Sequence, residues 1–424
     1  MKFGVLAHKT TMNLGDDIQS YAAACLLPSV EVMVDREALN SFVTEDGKPV
    51  GLIMSAWYMW KKWNWPPSKY IVPLMVGFHH FERSSIKKGL PLMREHLNGI
   101  GGRWMSDYSP IGCRDTKTTE LLTELGIDSY FSGCITLTLP KQSITADAKT
   151  YICLVDVTDQ VKSYIKKKLT GTEIMIRELS HVCDYRKSTA TWEQRSDIVE
   201  KRLQVYQNAL CVITPRLHVA LPCLAMETPV LLLKEHSDEN AKQFDYTRFD
   251  PYYDWLHLCD EDELIKGVAD FDIIDPPANK NTYLTTRNRL IEAVRRFVEL
   301  YRDNTESADD LNRASFTTHD CYIWQLSLMK TAFEKVLKEN EEIANQSILI
   351  KNYAKIIITM AKEGLSKGSE LVAETETERK AHQIGELDLL LSRIRDRYGD
   401  LRRAIEIKEL GILKMIDRKI KKTI

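Results

Sequence analysis

Short apolar runs alternate with helix-like patterns through the first 230 residues, and this alternation is the feature that most narrows the fold. The strand-like runs are KFGVLA (2–7), VEVMVD (30–35), VGLIMSAW (50–57), YIVPLMVGF (70–78), PIGCRD (110–115), YICLVD (151–156), EIMIREL (173–179), ALCVIT (209–214) and PVLLL (229–233). Strands separated by helices pair in parallel, and the helices cover both faces of the sheet. The sequence therefore predicts an α/β fold.

A break near residues 141–149 divides the alternation into two series. We expect two doubly wound, Rossmann-like domains that face a cleft, one over residues 1–145 and a second over 146–280. In sheets of this kind ligands bind at the carboxyl ends of the strands. After about residue 280 Pro and Gly become sparse and apolar residues recur at helical spacing, so residues 281–424 are predicted to form an all-helical extension.

The end of this extension is basic. Residues 402–424 carry eight Lys or Arg against three acidic residues. A basic amphipathic helix suits an anionic membrane surface or a partner helix. A helical bundle that mediates oligomers is the alternative, and the pattern does not separate the two.

Charge and cysteine usage exclude several classes of protein. The formal net charge of −2 does not favour nucleic-acid binding, which calls for a concentrated basic excess. No apolar run reaches about 18 residues, so no spanning helix is expected, and the N-terminal residues MKFGVLAHKT predict a strand rather than a signal peptide. The nine cysteines are scattered without a CxxC pair, which favours buried thiols in a reducing cytoplasm over zinc ligands.

The stretch VITPRLHVALPCLAMETP (212–229) joins a strand to an apolar helix. Pro215 ends the strand and suits the first turn of a helix, so Arg216 and His218 fall in that first turn. A helix N-terminus favours anions, Arg216 adds a fork-shaped donor for phosphate or carboxylate, and His218 changes protonation near neutral pH. These residues predict an anion clamp beside a proton donor. The alternative is that Arg216 pairs with a local acid and His218 is a satisfied core histidine.

Four stretches, in this order, resemble motifs of the polysaccharide pyruvyl transferase family. They are NLGDDIQS (13–20) for an N-x-GD-x-x-Q motif, GCRDTKTTELLTELGI (112–127) for an R-D segment, SGCITLTL (132–139) for a G-D-P-T-L-x-L strand, and TPRLHVALPCLAMETPVLLL (214–233) for an R-x-H signature. WPPSKYIVPLMVGFHH (65–80) also resembles a family stretch. Cys134 and Ile135 stand where the family has Asp-Pro, so a role for that acid is in doubt. The resemblance covers roughly residues 1–260.

The resemblance implies a two-domain fold similar to GT-B glycosyltransferases and the transfer of pyruvate from phosphoenolpyruvate to a sugar as a cyclic ketal. Phosphoenolpyruvate carries a phosphate and a carboxylate, so two cationic anchors are needed. Arg216 is the expected phosphate ligand and Arg114 the expected carboxylate ligand, with Leu217 in the same substrate-binding set. An ordinary surface pair of Arg114 with Asp115 is the alternative. His218 is the expected acid, for the methylene carbon or for the leaving phosphate.

The two acids of the N-terminal motif are candidates for contacting the sugar acceptor. Asp16 or Asp17 is expected to act as base or orienting acceptor for the sugar hydroxyl, and Gly15 suits a tight strand-to-helix turn near the substrate. Plain capping of the helix by the two acids is the alternative.

Aromatic and histidine side chains nearby also fit an acceptor. In SAWYMWKKWNWPP (55–67), Trp57 is a candidate for stacking on a sugar, and Lys61 with Lys62 for contacting a diphosphate linked to it. An aromatic cluster under a loop is the alternative. His79 and His80 end a strand at a cleft-facing position, where either assists the acceptor or has a structural role.

These expectations combine into a cytoplasmic pyruvyl transferase that uses phosphoenolpyruvate as co-substrate, with no metal and no bound organic cofactor. Its acceptor would be a lipid-linked or nucleotide-linked precursor of a bacterial surface polysaccharide, with residues 402–424 holding the enzyme at the inner face of the membrane or in a homo-oligomer. Two rivals stay open: a glycosyltransferase that uses a nucleotide sugar, and a non-enzymatic assembly protein whose helical tail is its working part.

Overall fold

The computed structural model describes most of the first 328 residues of the 424-residue chain. The described ranges are 1–58, 65–80, 97–144, 148–183, 189–234 and 246–328 without 322 and 326. Lys61, Lys62 and the basic stretch 402–424 lie outside them, so the predictions made for these residues remain predictions.

The first sheet is parallel and has the strand order β2-β1-β3-β4. Its strands are β1 (Lys2–Ala7), β2 (Val32–Asp35), β3 (Val50–Ile53) and β4 (Ile71–Leu74). A parallel pair of strands, β5 (Ile111–Cys113) and β6 (Ser129–Phe131), follows. A parallel bridge between Phe78 and Cys113 joins this pair to the chain leaving β4. The carboxyl ends of β1 to β6 therefore lie along one edge.

The second sheet is also parallel, with the order β11-β10-β9-β7-β8. Its strands are β7 (Tyr151–Val155), β8 (Met175–Leu179), β9 (Val212–Thr214), β10 (Val230–Lys234) and β11 (His257–Asp260). The strand order reverses between β7 and β9, where Cys153 pairs with Val212. Ligands of doubly wound sheets bind at the carboxyl ends beside such a reversal. Asp156 follows β7 and Arg216 follows β9 at this place.

Helices connect the strands, and side chains cap the N-termini of several of them. They are α1 (Leu14–Ala24), α2 (Gly99–Asp107), α3 (Thr116–Glu124), α4 (Asp159–Lys168), α5 (Trp192–Asn208), α6 (Leu217–Ala225), α7 (Glu261–Ile265), α8 (Leu284–Tyr301) and α9 (Ala308–Leu311). The Asn13 side chain accepts a hydrogen bond from the Gly15 N–H and caps α1. Thr191 and Gln194 form a reciprocal capping box at the start of α5. These local contacts fix where the helices begin.

One apolar core runs through both sheets. It includes Phe3 and Leu14 from the first half and Cys153 from the second half, with α8 packed against them. The Phe3 and Phe297 rings meet edge to face at 6.1 Å, and the N-terminal ammonium donates to the Arg302 carbonyl oxygen at 2.8 Å. A mixed α/β fold with parallel sheets is therefore confirmed. Helix α8, the first helix of the expected C-terminal extension, packs against Phe3 of the first sheet.

The expected strand at 132–139 is wrong, because residues Ile135–Thr138 form a 3-10 helix. Gly133 has φ +73°, which turns the chain as it leaves β6. The Thr138 hydroxyl then donates to the Ile135 carbonyl oxygen at 2.7 Å, within the helix. This 3-10 helix packs against α1, α6 and α8. Alternating apolar residues fit a strand equally well, so only the tertiary packing separates the two.

Candidate active site

The Arg–Leu–His joint lies where the sequence places it, at the carboxyl end of β9. Arg216 is the residue immediately before α6, and Leu217 is its first residue. His218 is partly exposed, so its imidazole is not sealed in the core, whereas Leu217 is buried. The backbone N–H groups of the first turn of α6 give this place a positive partial charge.

Arg114 reaches this joint from the first half of the chain. It is buried at the end of β5, and its Nη1 donates to Gln19 Oε1 at 3.1 Å. The same Nη1 lies 3.3 Å from Nε2 of His218. The Tyr252 hydroxyl fixes the backbone of Arg114 by donating to its carbonyl oxygen at 2.5 Å. A guanidinium only donates hydrogen bonds, so we infer that Nε2 accepts and carries no proton in this ligand-free state.

Gly15 is required by the approach of His218 rather than by a tight turn. A Cβ added to Gly15 would lie 2.8 Å from His218 Cβ and 2.9 Å from Nδ1. No larger residue fits there without moving the imidazole. The first turns of α1 and α6 consequently meet at His218, and both bring helix N-termini to the same ring.

A thiol also faces the imidazole. Cys134 Sγ lies 3.7 Å from His218 Nε2, and the Thr136 hydroxyl donates to the same sulfur at 3.2 Å. Cys134 is buried beneath the ring. The position at which the family motif has an acid therefore provides a neutral partner for His218.

Arg216 pairs with Asp156 across the strand reversal of the second sheet. Its Nε lies 3.0 Å from Asp156 Oδ2, and its side chain is 46% exposed. Burial raises the pKa of Asp156, but hydrogen bonds from Ser180, from the His181 N–H and from Arg216 outweigh it and lower that pKa below its usual 3.8. Asp156 is therefore ionised at neutral pH. Arg216 therefore does pair with a local acid, as the alternative interpretation of the sequence expects. Its side chain nevertheless remains accessible to solvent.

The structure gives Asp16 and Asp17 different surroundings, although both are buried. Asp17 Oδ1 lies 3.1 Å from Nη1 of Arg195, and the two side chains are each 2% exposed. Among the described residues, no ion pair holds the Asp16 carboxylate. Asp17 therefore ties α1 to α5, and Asp16 is the acid of this pair that can serve a substrate.

His79 is held by Asp115 at the carboxyl edge of the first sheet. His79 Nδ1 lies 2.6 Å from Asp115 Oδ2, and the same carboxylate accepts from the Thr118 N–H at 2.8 Å through Oδ1. Burial raises the pKa of Asp115, but the hydrogen bond and charge of His79 outweigh it and lower that pKa below 3.8. His80 is buried beside it, and its N–H donates to Thr118 Oγ1 at 3.0 Å. Asp115 thus orients His79 rather than pairing with Arg114 on the surface.

The tryptophan-rich stretch divides into two environments. Trp65 is fully buried and packs edge to face on Trp104 with ring centroids 4.8 Å apart, as the aromatic-cluster alternative describes. Trp57 is partly exposed, and the Arg36 guanidinium lies 4.7 Å from its ring centroid. A cation therefore lies over one face of the Trp57 ring.

Sequence reasoning missed three residues of this cluster. Gln19 closes the quoted N-x-GD-x-x-Q motif but was given no role, Asp156 ends the strand-like run YICLVD, and Cys134 was noted only as a departure. All three bond across long stretches of chain, to Arg114, Arg216 and His218. A polar residue at the end of a strand was the one available signal for Asp156.

The described residues contain neither a candidate metal site nor a candidate membrane-spanning helix. Within the described ranges, no group of three or more His, Cys, Asp or Glu side chains is arranged to hold a metal ion. In the same part of the chain, no helix combines the length and apolar character that crossing a membrane requires.

Solved structures give weak similarities. The S. aureus MnaA-UDP co-structure aligns with 72% of this chain and 100% of its own at 10% identity and a TM-score of 0.37. An uncharacterized protein from Klebsiella pneumoniae subsp. pneumoniae NTUH-K2044 aligns with 61% of this chain and 92% of its own at 12% identity and a TM-score of 0.30. Neither value establishes a common fold. No curated protein matches the chain.

A family model matches the part of the chain that carries the central cluster. Arg114, Cys134, Arg216 and His218 lie inside the match, whereas Gly15 lies before it. The match indicates a transferase of polysaccharide biosynthesis. Residues 94–237 match the polysaccharide pyruvyl transferase family model, which confirms over that range the resemblance inferred from the sequence motifs.

Proposed function

We propose that the protein transfers a pyruvyl group from phosphoenolpyruvate to two hydroxyls of a sugar, forming a cyclic ketal and releasing phosphate. The observation that carries this proposal is the 3.3 Å contact between Arg114 Nη1 and His218 Nε2 beside two helix N-termini. This arrangement offers a small dianionic donor a guanidinium, a cluster of backbone N–H groups and a proton-transfer group in one place.

The donor has two anionic groups, and the site has a separate cation for each. Arg114 binds the carboxylate, because its guanidinium is buried and already donates to an amide oxygen of Gln19. Arg216 binds the phosphate together with the first turn of α6, because its side chain is exposed and, among the described residues, Asp156 engages it through Nε. Two arginines on different sheets would orient the donor by both of its ends.

Donor binding prepares His218 for proton transfer. In the ligand-free state the guanidinium of Arg114 donates toward Nε2, so that nitrogen has no proton to give. A carboxylate on Arg114 neutralises that cation and lets Nε2 take up a proton. His218 then delivers this proton to the methylene carbon of the donor, and positive charge develops on the central carbon. General acid help of this kind is worth about 10²–10⁴ in rate.

The acceptor hydroxyl attacks that central carbon, and its proton passes to Asp16. A second hydroxyl of the same sugar then displaces phosphate, which leaves with a proton and closes the ketal. Asp16 lies in the first turn of α1, one residue from the glycine that contacts His218. His79, oriented by Asp115, and the partly exposed Trp57 suit the acceptor side of the same edge. The acceptor would be a lipid-linked or nucleotide-linked precursor, and residues 402–424 would bring the enzyme to a membrane or to a second copy.

The test is incubation with phosphoenolpyruvate and a panel of galactoside and N-acetylhexosamine acceptors. Phosphate release should depend on the acceptor, and mass spectrometry should find the acceptor carrying a pyruvyl ketal. His218→Ala and Arg114→Ala should abolish both signals while circular dichroism shows that both variants remain folded. Turnover of a nucleotide sugar in place of phosphoenolpyruvate would support the glycosyltransferase rival instead.

A further inference from the structure

The thiol of Cys134 is arranged to donate toward His218. The Thr136 hydroxyl donates to Sγ at 3.2 Å, which uses one of the two lone pairs of the sulfur. The thiol hydrogen is then available for His218 Nε2, 3.7 Å away. Cys134 has a relative exposure of 0%, so it does not reach a ligand in the site. Cys134 can therefore affect the reaction only through its contact with the His218 imidazole.

Arg114 and Cys134 share one nitrogen, but only Arg114 has a competing task. Its Nη1 also donates to Gln19 Oε1, and a guanidinium is drawn toward any anion that enters the site. The thiol of Cys134 is neutral and buried, so an entering anion does not pull it away. Gly15 meets the ring on the side of Cβ and Nδ1. When Arg114 turns to a substrate, the thiol of Cys134 stays within contact distance of Nε2.

We propose that Cys134 is a positioning residue for His218. Its thiol donates to the unprotonated Nε2 of the resting site, and its sulfur accepts from Nε2 once that nitrogen is protonated, so the ring stays in place while Arg114 binds the donor. The effect of this residue on turnover rests on the function proposed above, whereas its effect on the imidazole does not. The neutral thiol stabilises an unprotonated Nε2 in the resting site. An acid at this position would instead hold the imidazolium and attract Arg114.

The first experiment compares kcat and KM for phosphoenolpyruvate in the full-length chain. Cys134→Ala should lower kcat about 10- to 100-fold, since small misplacements of a reacting group cost that much, and should leave KM within about threefold. Cys134→Ser keeps a donor and an acceptor at the same place and should restore most of kcat. Cys211→Ala is the matched control, because Cys211 is equally buried in the second sheet and should cost stability without changing kcat.

A second measurement does not depend on turnover. Histidine-selective ¹⁵N labelling reports which imidazole nitrogen carries the proton, and His218→Gln identifies the signal. The spectra are recorded in an Arg114→Ala background, which removes the other donor to Nε2. With Cys134 or Cys134→Ser in that background Nε2 should be unprotonated, and Cys134→Ala should shift His218 toward a mixture of tautomers. If the parent protein does not use phosphoenolpyruvate, the proposed function fails, but this spectrum still decides the role of Cys134. An unchanged His218 spectrum on adding Cys134→Ala to Arg114→Ala, or a parent-like kcat of Cys134→Ala in an active enzyme, would overturn the proposal.

Discussion

Arg114 and His218 come from different sheets of the fold, yet their Nη1 and Nε2 atoms lie 3.3 Å apart. Arg114 follows β5 of the first half, and His218 lies in the first turn of α6 in the second half. A group that binds an anion and a group that moves a proton therefore contact each other directly. The contact links occupation of the anion site to protonation of the imidazole, and it also ties the two halves of the chain together.

Replacing Arg114 by lysine tests whether the shape of the guanidinium matters as well as its charge. An ammonium on a flexible stem cannot reproduce the planar fork that meets Gln19, His218 and a carboxylate. Arg114→Lys should weaken phosphoenolpyruvate binding at least tenfold, about 1.4 kcal/mol, in isothermal titration calorimetry. Arg103→Lys, at an exposed position of α2, is the matched control and should bind normally. Parent-like affinity in Arg114→Lys would exclude Arg114 as the carboxylate ligand.

Replacing Gly15 by alanine tests the close approach of α1 to His218. The added methyl would lie 2.8 Å from His218 Cβ, so the imidazole or the helix must move. Gly15→Ala should lower kcat about 100-fold, as expected for a misplaced catalytic group. Gly47→Ala is the control: its φ of +67° makes alanine cost about 1–2 kcal/mol in stability, but nothing lies within 4 Å of the new methyl. A loss of activity in Gly47→Ala equal to that in Gly15→Ala would show that stability alone explains the result.

The local part of the site could be predicted from the sequence, because it depends on one strand-to-helix joint. Pro215 and the apolar run after it fix the start of α6 to within a residue, so His218 falls in its first turn and Arg216 immediately before it, without any long-range information. The contact between Arg114 and His218 was not predictable in the same way. These residues are separated by 104 positions, and only the shared ligand inferred from the family resemblance connects them.

Tertiary packing determines the features of the fold that the sequence did not predict. Ile135, Leu137 and Leu139 alternate with polar residues as in a strand, but they form part of a buried 3-10 helix and its end because α1, α6 and α8 surround them. The periodicity of 290–301 correctly predicts a helix with one apolar face, yet it does not say which surface that face covers. In the structure Phe297 meets Phe3 of the first sheet.

Asp16 and Asp17 can be separated by measuring activity and stability together. Asp17→Asn removes one partner of a buried ion pair and leaves Arg195 uncompensated, so the free energy of unfolding should fall by about 3–5 kcal/mol. Asp16 makes no ion pair with another described residue, so Asp16→Asn should cost about 1 kcal/mol or less, from the helix N-terminus. Its kcat should nevertheless fall about 100-fold or more if Asp16 takes the hydroxyl proton. Full activity in Asp16→Asn would assign that task to another group.

The Asp115–His79 pair predicts how stability changes in acid. The pKa of Asp115 is lowered below its usual 3.8, since the contacts from His79 outweigh the effect of burial. A carboxyl whose pKa is lowered by folding stabilises the protein above pH 3.8, and this contribution is lost as the pH falls through its folded-state pKa. At pH 6 to 7, Asp115→Asn should therefore reduce the free energy of unfolding by about 1.5–3 kcal/mol, and the difference from the parent protein should shrink below about pH 4. Urea titrations at several pH values measure this difference. His79→Gln weakens the same hydrogen bond and should show the loss in the same pH range, whereas a difference that stays constant into acid would mean that the Asp115 carboxylate is not stabilised by this contact.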